Sequence, residues 1–135
     1  MKKFKVIALM LVFVLSFQAV AFAADIQPRG AYLQGGGCSI SPGYGYVKVS
    51  GHTDAFDNYD EVYVEITILK EVYPGVWSEI WSDYARSYND FEITYPNKNV
   101  NVDSGYRYMV EATHTVKHNN VTETNYSEAG PVLVS

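Results

Sequence analysis

The sequence predicts an all-β protein: an antiparallel β-sandwich of about seven strands that follows a cleaved leader. Two observations carry that expectation. Apolar and polar residues alternate with period two along several segments, as they do when one face of a strand is buried. Turn signals separate those segments at intervals of about 8–12 residues, and no helical periodicity appears beyond residue 23.

The leader comes first. Lys2, Lys3 and Lys5 form a basic start, residues 6–17 an apolar run, and Ala21-Phe22-Ala23 a small-x-small cleavage site. This is the pattern of a secretory signal peptide spanning residues 1–23, cut before Ala24. The apolar run is shorter than the roughly 20 residues a spanning helix needs, so no membrane association is expected after cleavage. The short basic start suits a bacterium of Gram-positive type, with the mature protein secreted.

Three of the ten basic residues leave with the leader and all 15 acidic residues stay, moving the formal net charge from −5 to −8. Such a balance excludes nucleic acid and anionic surfaces as electrostatic partners. Cys38 is the one cysteine, so no internal disulfide is available and the core must hold the fold. It is either a small, half-buried residue or the link in a homodimer.

Residues 24–37 read as a flexible lead-in, with Pro28 and the Gly35-Gly36-Gly37 run acting against regular structure. The β-sandwich domain then occupies residues 38–135, with a short first strand near residues 31–33 or 39–40. Pro42-Gly43 turns the chain into a strand over residues 44–53. An acidic loop follows at residues 54–60. The strongest strand comes next, with Val62, Val64, Ile66 and Ile68 forming a β-branched wall and Tyr63, Glu65 and Thr67 opposite. Tyr73-Pro74-Gly75-Val76 is a tight turn, because Pro presets φ and Gly supplies positive φ. Its hairpin partner runs over residues 77–84. Phe91, Ile93 and Tyr95 mark another strand, which Pro96-Asn97 stops, and residues 99–102 make a short piece. The next strand carries Tyr108, Val110, Ala112 and His114 on one side. Asn119-Asn120 is the following hairpin turn, since Asn tolerates the left-handed region. The last strand starts at Val121, breaks at Gly130-Pro131 and finishes as Val132-Leu133-Val134, a Pro there suiting an edge strand.

Val102, the turn Asp103-Ser104-Gly105 and Tyr108 resemble the tyrosine corner of immunoglobulin-like and fibronectin type III sandwiches. In that corner the Tyr hydroxyl bonds to backbone a few residues upstream. Ser104 stands where the fibronectin version has Pro. The layout as a whole resembles a family of unknown function made of small secreted proteins of Gram-positive bacteria. The motifs that carry this likeness are Pro28-Arg29, Gly75-Val76-Trp77, Gly105-Tyr106-Arg107 and Tyr126-Ser127. The resemblance implies an immunoglobulin-like fold; it carries over no activity and no site residues.

Two groups of residues stand out as candidate sites. Asp54, Asp57, Asp60 and Glu61 offer the oxygen ligands that Ca²⁺ accepts, although the spacing is not that of an EF-hand. Solvated turn residues capping their own backbone would look the same. Tyr44, Tyr46, Tyr63, Trp77 and Trp81 are the aromatic candidates for stacking on a glycan or anchoring a protein. Cross-strand pairing within the sheet accounts for such residues equally well. The spacing of four puts Trp77 and Trp81 on one face of a regular strand, with a core position for one or both as the alternative. Glu65, Glu79, Glu92 and Glu111 fall at outward strand positions. Nothing pairs carboxylates in a cleft or sets a base beside Cys38, so no catalytic residue is assigned. The expected function is a non-enzymatic extracellular module that binds a protein or a glycan. The alternatives are a structural domain that self-associates through edge strands, and a Ca²⁺-dependent surface-binding domain.

Overall fold

A computed structural model describes the backbone of Phe22–Ile26 together with residues 30–135. Among these residues there are six strands and no helix: β1 (Phe22–Ile26), β2 (Leu33–Pro42), β3 (Tyr46–Tyr73), β4 (Val76–Asn101), β5 (Arg107–His118) and β6 (Val121–Leu133). Every pairing is antiparallel, in the order β1-β2-β3-β5-β6, with β4 also laid against β3.

The length of β3 and β4 explains how one curled sheet encloses a core. Residues 46–54 of β3 lie between β2 and residues 92–101 of β4, whereas residues 61–70 lie between β5 and the other half of β4. The two halves meet at a slip in register. Asp54 pairs with Glu92 and Tyr59 with Asp90, so four residues of β3 oppose a single residue of β4. Extra residues on one strand bend it and increase its twist. The bend brings β2 over β6, and Ile40, Val47 and Val49 join Val64, Ile66, Ile68, Tyr108, Val110 and Val132 in one buried cluster. A smaller cluster of Leu33, Ala55, Val62 and Val116 fills the end beside the bend. Each fully buried Val or Ile contributes roughly 1.5–3 kcal/mol through apolar surface removed from water.

Three sequence breaks are absorbed as irregularities rather than ends. The acidic stretch 54–60 is part of β3, because Gly51, Thr53 and Ala55 continue its buried side through the start of the bend. Pro96-Asn97 bulges within β4, between the pairs Gly51–Tyr95 and Val49–Lys98. Gly130-Pro131 bulges within β6, with a cis peptide bond, opposite Met109. A proline at a bulge or an unpaired edge costs the ladder no hydrogen bond. The seven short strands of the sequence reading thus merge into six, two of them very long.

The glycine run is not a linker. Residues 33–37 belong to β2, and β1 pairs along it from Gly36 to Ile40. A Cβ on Gly36 would stand 2.5 Å from Nδ1 of His114 and 2.7 Å from the carbonyl of His52, so glycine is what allows the close approach. The leader assigned to residues 1–23 lies outside the described residues except for Phe22 and Ala23, and its cleavage point falls inside β1. The turns follow their chemistry: Gly75 has φ +76°, and Asn119 and Asn120 have φ +50° and +63°, the double positive that a two-residue hairpin turn requires.

Candidate ligand-binding face

The outward residues of four strands meet on one concave surface. Register sets Glu65 beside Thr113, Thr67 beside Glu111, and Leu69 beside Glu79 and Met109. It also sets Glu111 beside Glu128 and Thr113 beside Tyr126. All of these except Met109, together with Ser127, line a groove of about 620 Å³. Since strand neighbours two apart share a face, Glu111 and Thr113 look outward from the same strand that buries Val110, Ala112 and His114.

The groove is electrostatically one-sided. Glu65, Glu79, Glu111 and Glu128 have no salt-bridge partner among the described residues, because nearby cations are engaged elsewhere. Arg107 binds Glu71 at 2.9 Å, Lys70 binds Asp103 at 2.9 Å, and Arg86 and Lys117 flank Glu61 at 3.0 and 3.8 Å. Glu65 accepts a hydrogen bond from the Tyr63 hydroxyl at 2.8 Å. Burial, followed by that bond to a carboxylate, pushes the Tyr63 phenol up to about 12. Tyr126, 69% exposed, stands at the β6 side.

The aromatic candidates divide between places. Tyr63 and Trp77 lie on this outer face toward opposite ends of the groove: Tyr63 next to Glu65, and Trp77 paired with Glu71 beneath the Arg107 guanidinium. Trp81 is on the other side. Ile80 bulges between the pairs Leu69–Glu79 and Ile68–Trp81, and that one extra residue turns Trp81 inward, against the core and edge-on to Tyr95 at 6.3 Å. The shared face expected from a spacing of four is thereby undone. Tyr44 projects from the β2–β3 connection at 91% exposure, and Tyr46 is half-buried at the start of β3; neither reaches the groove.

The four acidic candidates are not brought together. Asp54 faces His52 at 3.4 Å, and Asp57 accepts from the Asn58 amide. Asp60 takes the Asn119 amide and His118, and Glu61 the two cations named above. A strand advances about 3.3 Å per residue, so it spreads carboxylates that a tight loop would have gathered. Among the described residues no group of three His, Cys, Asp or Glu side chains could hold a metal ion.

Within the curl lies a second polar constellation that the sequence reading did not assemble. Thr53 Oγ1 is 2.8 Å from His114 Nδ1, His114 Nε2 is 2.7 Å from Ser127 Oγ, and Ser127 donates to Cys38 Sγ at 3.3 Å. The Thr53 and Ser127 hydroxyls thus bracket the two ring nitrogens of His114. His114 is fully buried, and burial together with the nearby His52 charge pushes its pKa down to about 4. Cys38 is 4% exposed, so its sulfur lies inside the fold rather than where a second chain could reach it. The inward position of His114 was readable from the alternation; its partners on β2, β3 and β6 depend on register. At the other end of β5, Tyr108 donates to the Asp103 carbonyl at 2.7 Å, and Val102 packs beside the core.

No protein-family model matches the chain, and a search of curated proteins finds no relative.

Proposed function

We propose that this is a secreted, non-enzymatic binding module, and that its ligand is a basic segment of an extracellular protein held in the groove on the outer face of β3–β6. The observation that carries this reading is the set of four carboxylates, Glu65, Glu79, Glu111 and Glu128, gathered in one concavity without a cation among them. Lysine or arginine side chains supply the missing charge, while Leu69, Trp77 and Tyr126 offer apolar surface for their stems. A neutral glycan would find fewer stacking platforms, since Trp81 is turned inward. The non-enzymatic part rests on access: His114 and Cys38 are buried, so no accessible base or thiol stands beside Ser127 at the groove wall.

An immunoglobulin-like sandwich is the fold we propose in finer terms. The bend in the β3–β4 hairpin, which gives each half its own neighbours, supports it, as does the Tyr108–Asp103 bond. The likeness to small secreted proteins of Gram-positive bacteria rests on the motifs at residues 28–29, 75–77, 105–107 and 126–127.

Calorimetric titration with a lysine-rich peptide, against a glycine-serine peptide of equal length, tests the ligand. The basic peptide alone should bind, more weakly as salt rises. Joint Glu65→Gln, Glu111→Gln and Glu128→Gln changes should weaken it on the order of tenfold or more. Absence of binding to the basic peptide at low salt would end the proposal.

A further inference from the structure

The outer edge of β4 is open. β4 hydrogen-bonds to β3 along its length, and among the described residues no other strand lies beside it. Sheet edges normally carry devices that prevent pairing, such as proline, lysine, bulges or inward charges. The far half of β4 has them: Pro96, Lys98 and the bulge between Tyr95 and Lys98. Residues 81–88 largely do not. They run in unbroken register with β3, from Ile68–Trp81 to Glu61–Tyr88, between the Ile80 bulge and the positive φ of Asn89. They contain no proline, glycine or lysine. Among them Tyr84, Arg86 and Tyr88 are exposed and of types enriched at protein interfaces.

Charge identifies the occupant. In a chain of net charge −5, this segment carries one acid and one base, Asp83 and Arg86, so two copies approach without local repulsion. A symmetric antiparallel pair that continues the sheet must keep inner residues opposite inner ones. It is therefore centred on a residue. Centring on Asp83 or Arg86 sets like charges face to face. Centring on Ala85 sets Arg86 opposite the second copy's Tyr84, twice. The guanidinium is already fixed for this by Glu61 at 3.0 Å, with the Tyr63 and Tyr84 rings of its own chain 5.4 Å away. Inside, Asp83 then faces Ser87 of the other copy.

We propose that the protein forms a two-fold dimer by pairing residues 81–88 of β4 with the same segment of a second copy, centred on Ala85. Main-chain hydrogen bonds across the edge supply the affinity, and the paired cation–aromatic contacts set the register. The groove lies on the adjacent face, so dimerisation leaves it open and places two grooves on one continuous sheet.

Sedimentation of the purified protein over a range of concentrations gives the first test. Wild type should show a monomer–dimer equilibrium. The double change Ser82→Lys and Tyr84→Lys, both at exposed positions, should weaken it at least about tenfold. Mild oxidation gives the second: Ala85→Cys should cross-link, because directly opposed residues have Cα atoms about 4.5–5.5 Å apart, within disulfide reach. Ser82→Cys, opposite Tyr88, should not, and wild type with only the buried Cys38 should not. A wild type that stays monomeric overturns the proposal. So does a dimer that survives the lysine changes, or cross-linking of Ser82→Cys in place of Ala85→Cys.

Discussion

Acid should weaken this protein well above the range where carboxylates titrate, and His114 is the reason. In the folded state its pKa is about 4, against about 6.5 for the unfolded chain. As pH falls below 6.5 the unfolded state takes up a proton that the folded state refuses, so unfolding is favoured with each step. The difference of about 2.5 units corresponds to roughly 3 kcal/mol, fully lost once the pH reaches the folded value and constant below it. That is a large part of the 5–15 kcal/mol typical of a domain. The carboxylates held down by hydrogen bonds, Asp83, Asp90 and Glu123, act in the same direction but only as pH falls below their ordinary values of 3.8 to 4.5. The interval from about 6.5 to 4.5 is therefore dominated by histidine. Urea unfolding followed by tryptophan fluorescence, in steps of half a pH unit, reads the slope directly. His114→Gln keeps donor and acceptor groups toward Thr53 and Ser127 while removing the titration. It should start less stable at pH 7.5 and lose much less on acidification. His52 and His118 remain in both proteins, so the difference between the two curves belongs to His114. Equal slopes for the two, or a wild type unchanged between pH 7 and 5, would refute the reasoning.

Two further substitutions test the packing. Tyr108→Phe deletes only the hydroxyl that reaches the Asp103 carbonyl at 2.7 Å, and should cost about 1–3 kcal/mol in chemical denaturation; no measurable loss means the bond contributes nothing. Gly36→Ala drives a methyl group into the His114 ring and the His52 carbonyl, and should cost about 1–3 kcal/mol or more through overpacking. A harmless outcome would mean that β2 and β5 do not approach as closely as described.

Much of the fold was legible because alternation is a local signal. Val62, Val64, Ile66 and Ile68 proved to be fully buried, and the Asn119-Asn120 and Pro74-Gly75 turns sit between the strands they were expected to join. What failed were inferences from interruption. Asp54 to Asp60 look like a loop because charge replaces the alternation, yet extra residues in a strand can bulge without leaving the ladder. Pro96 looks like a stop, but it occupies a bulge. The glycine run looks like a linker, since the same lack of Cβ that permits disorder also permits a histidine ring to come within touching distance. The site was half legible. Glu65, Glu79 and Glu111 were correctly placed outward, but only register, a non-local property, makes them neighbours of each other and of Glu128. Trp81 shows how little it takes to mislead: one bulged residue, Ile80, moves it from the face to the core.

Strand β5 ties the two polar centres to a single backbone, which makes their separation testable. Its even-numbered residues bury Tyr108 and His114; its odd-numbered residues present Glu111 and Thr113 to the groove. A change on one side should therefore leave the other function nearly intact. Glu111→Gln removes an exposed, uncompensated charge beside Glu128, so it should weaken a basic ligand while leaving stability the same or slightly raised, because like charges opposite one another destabilise a sheet. His114→Gln should do the reverse, lowering stability with little effect on binding by the folded protein. If His114→Gln instead abolishes binding under conditions where the protein is folded, the interior network shapes the groove, and the sheet is not the rigid divider that its alternating burial implies.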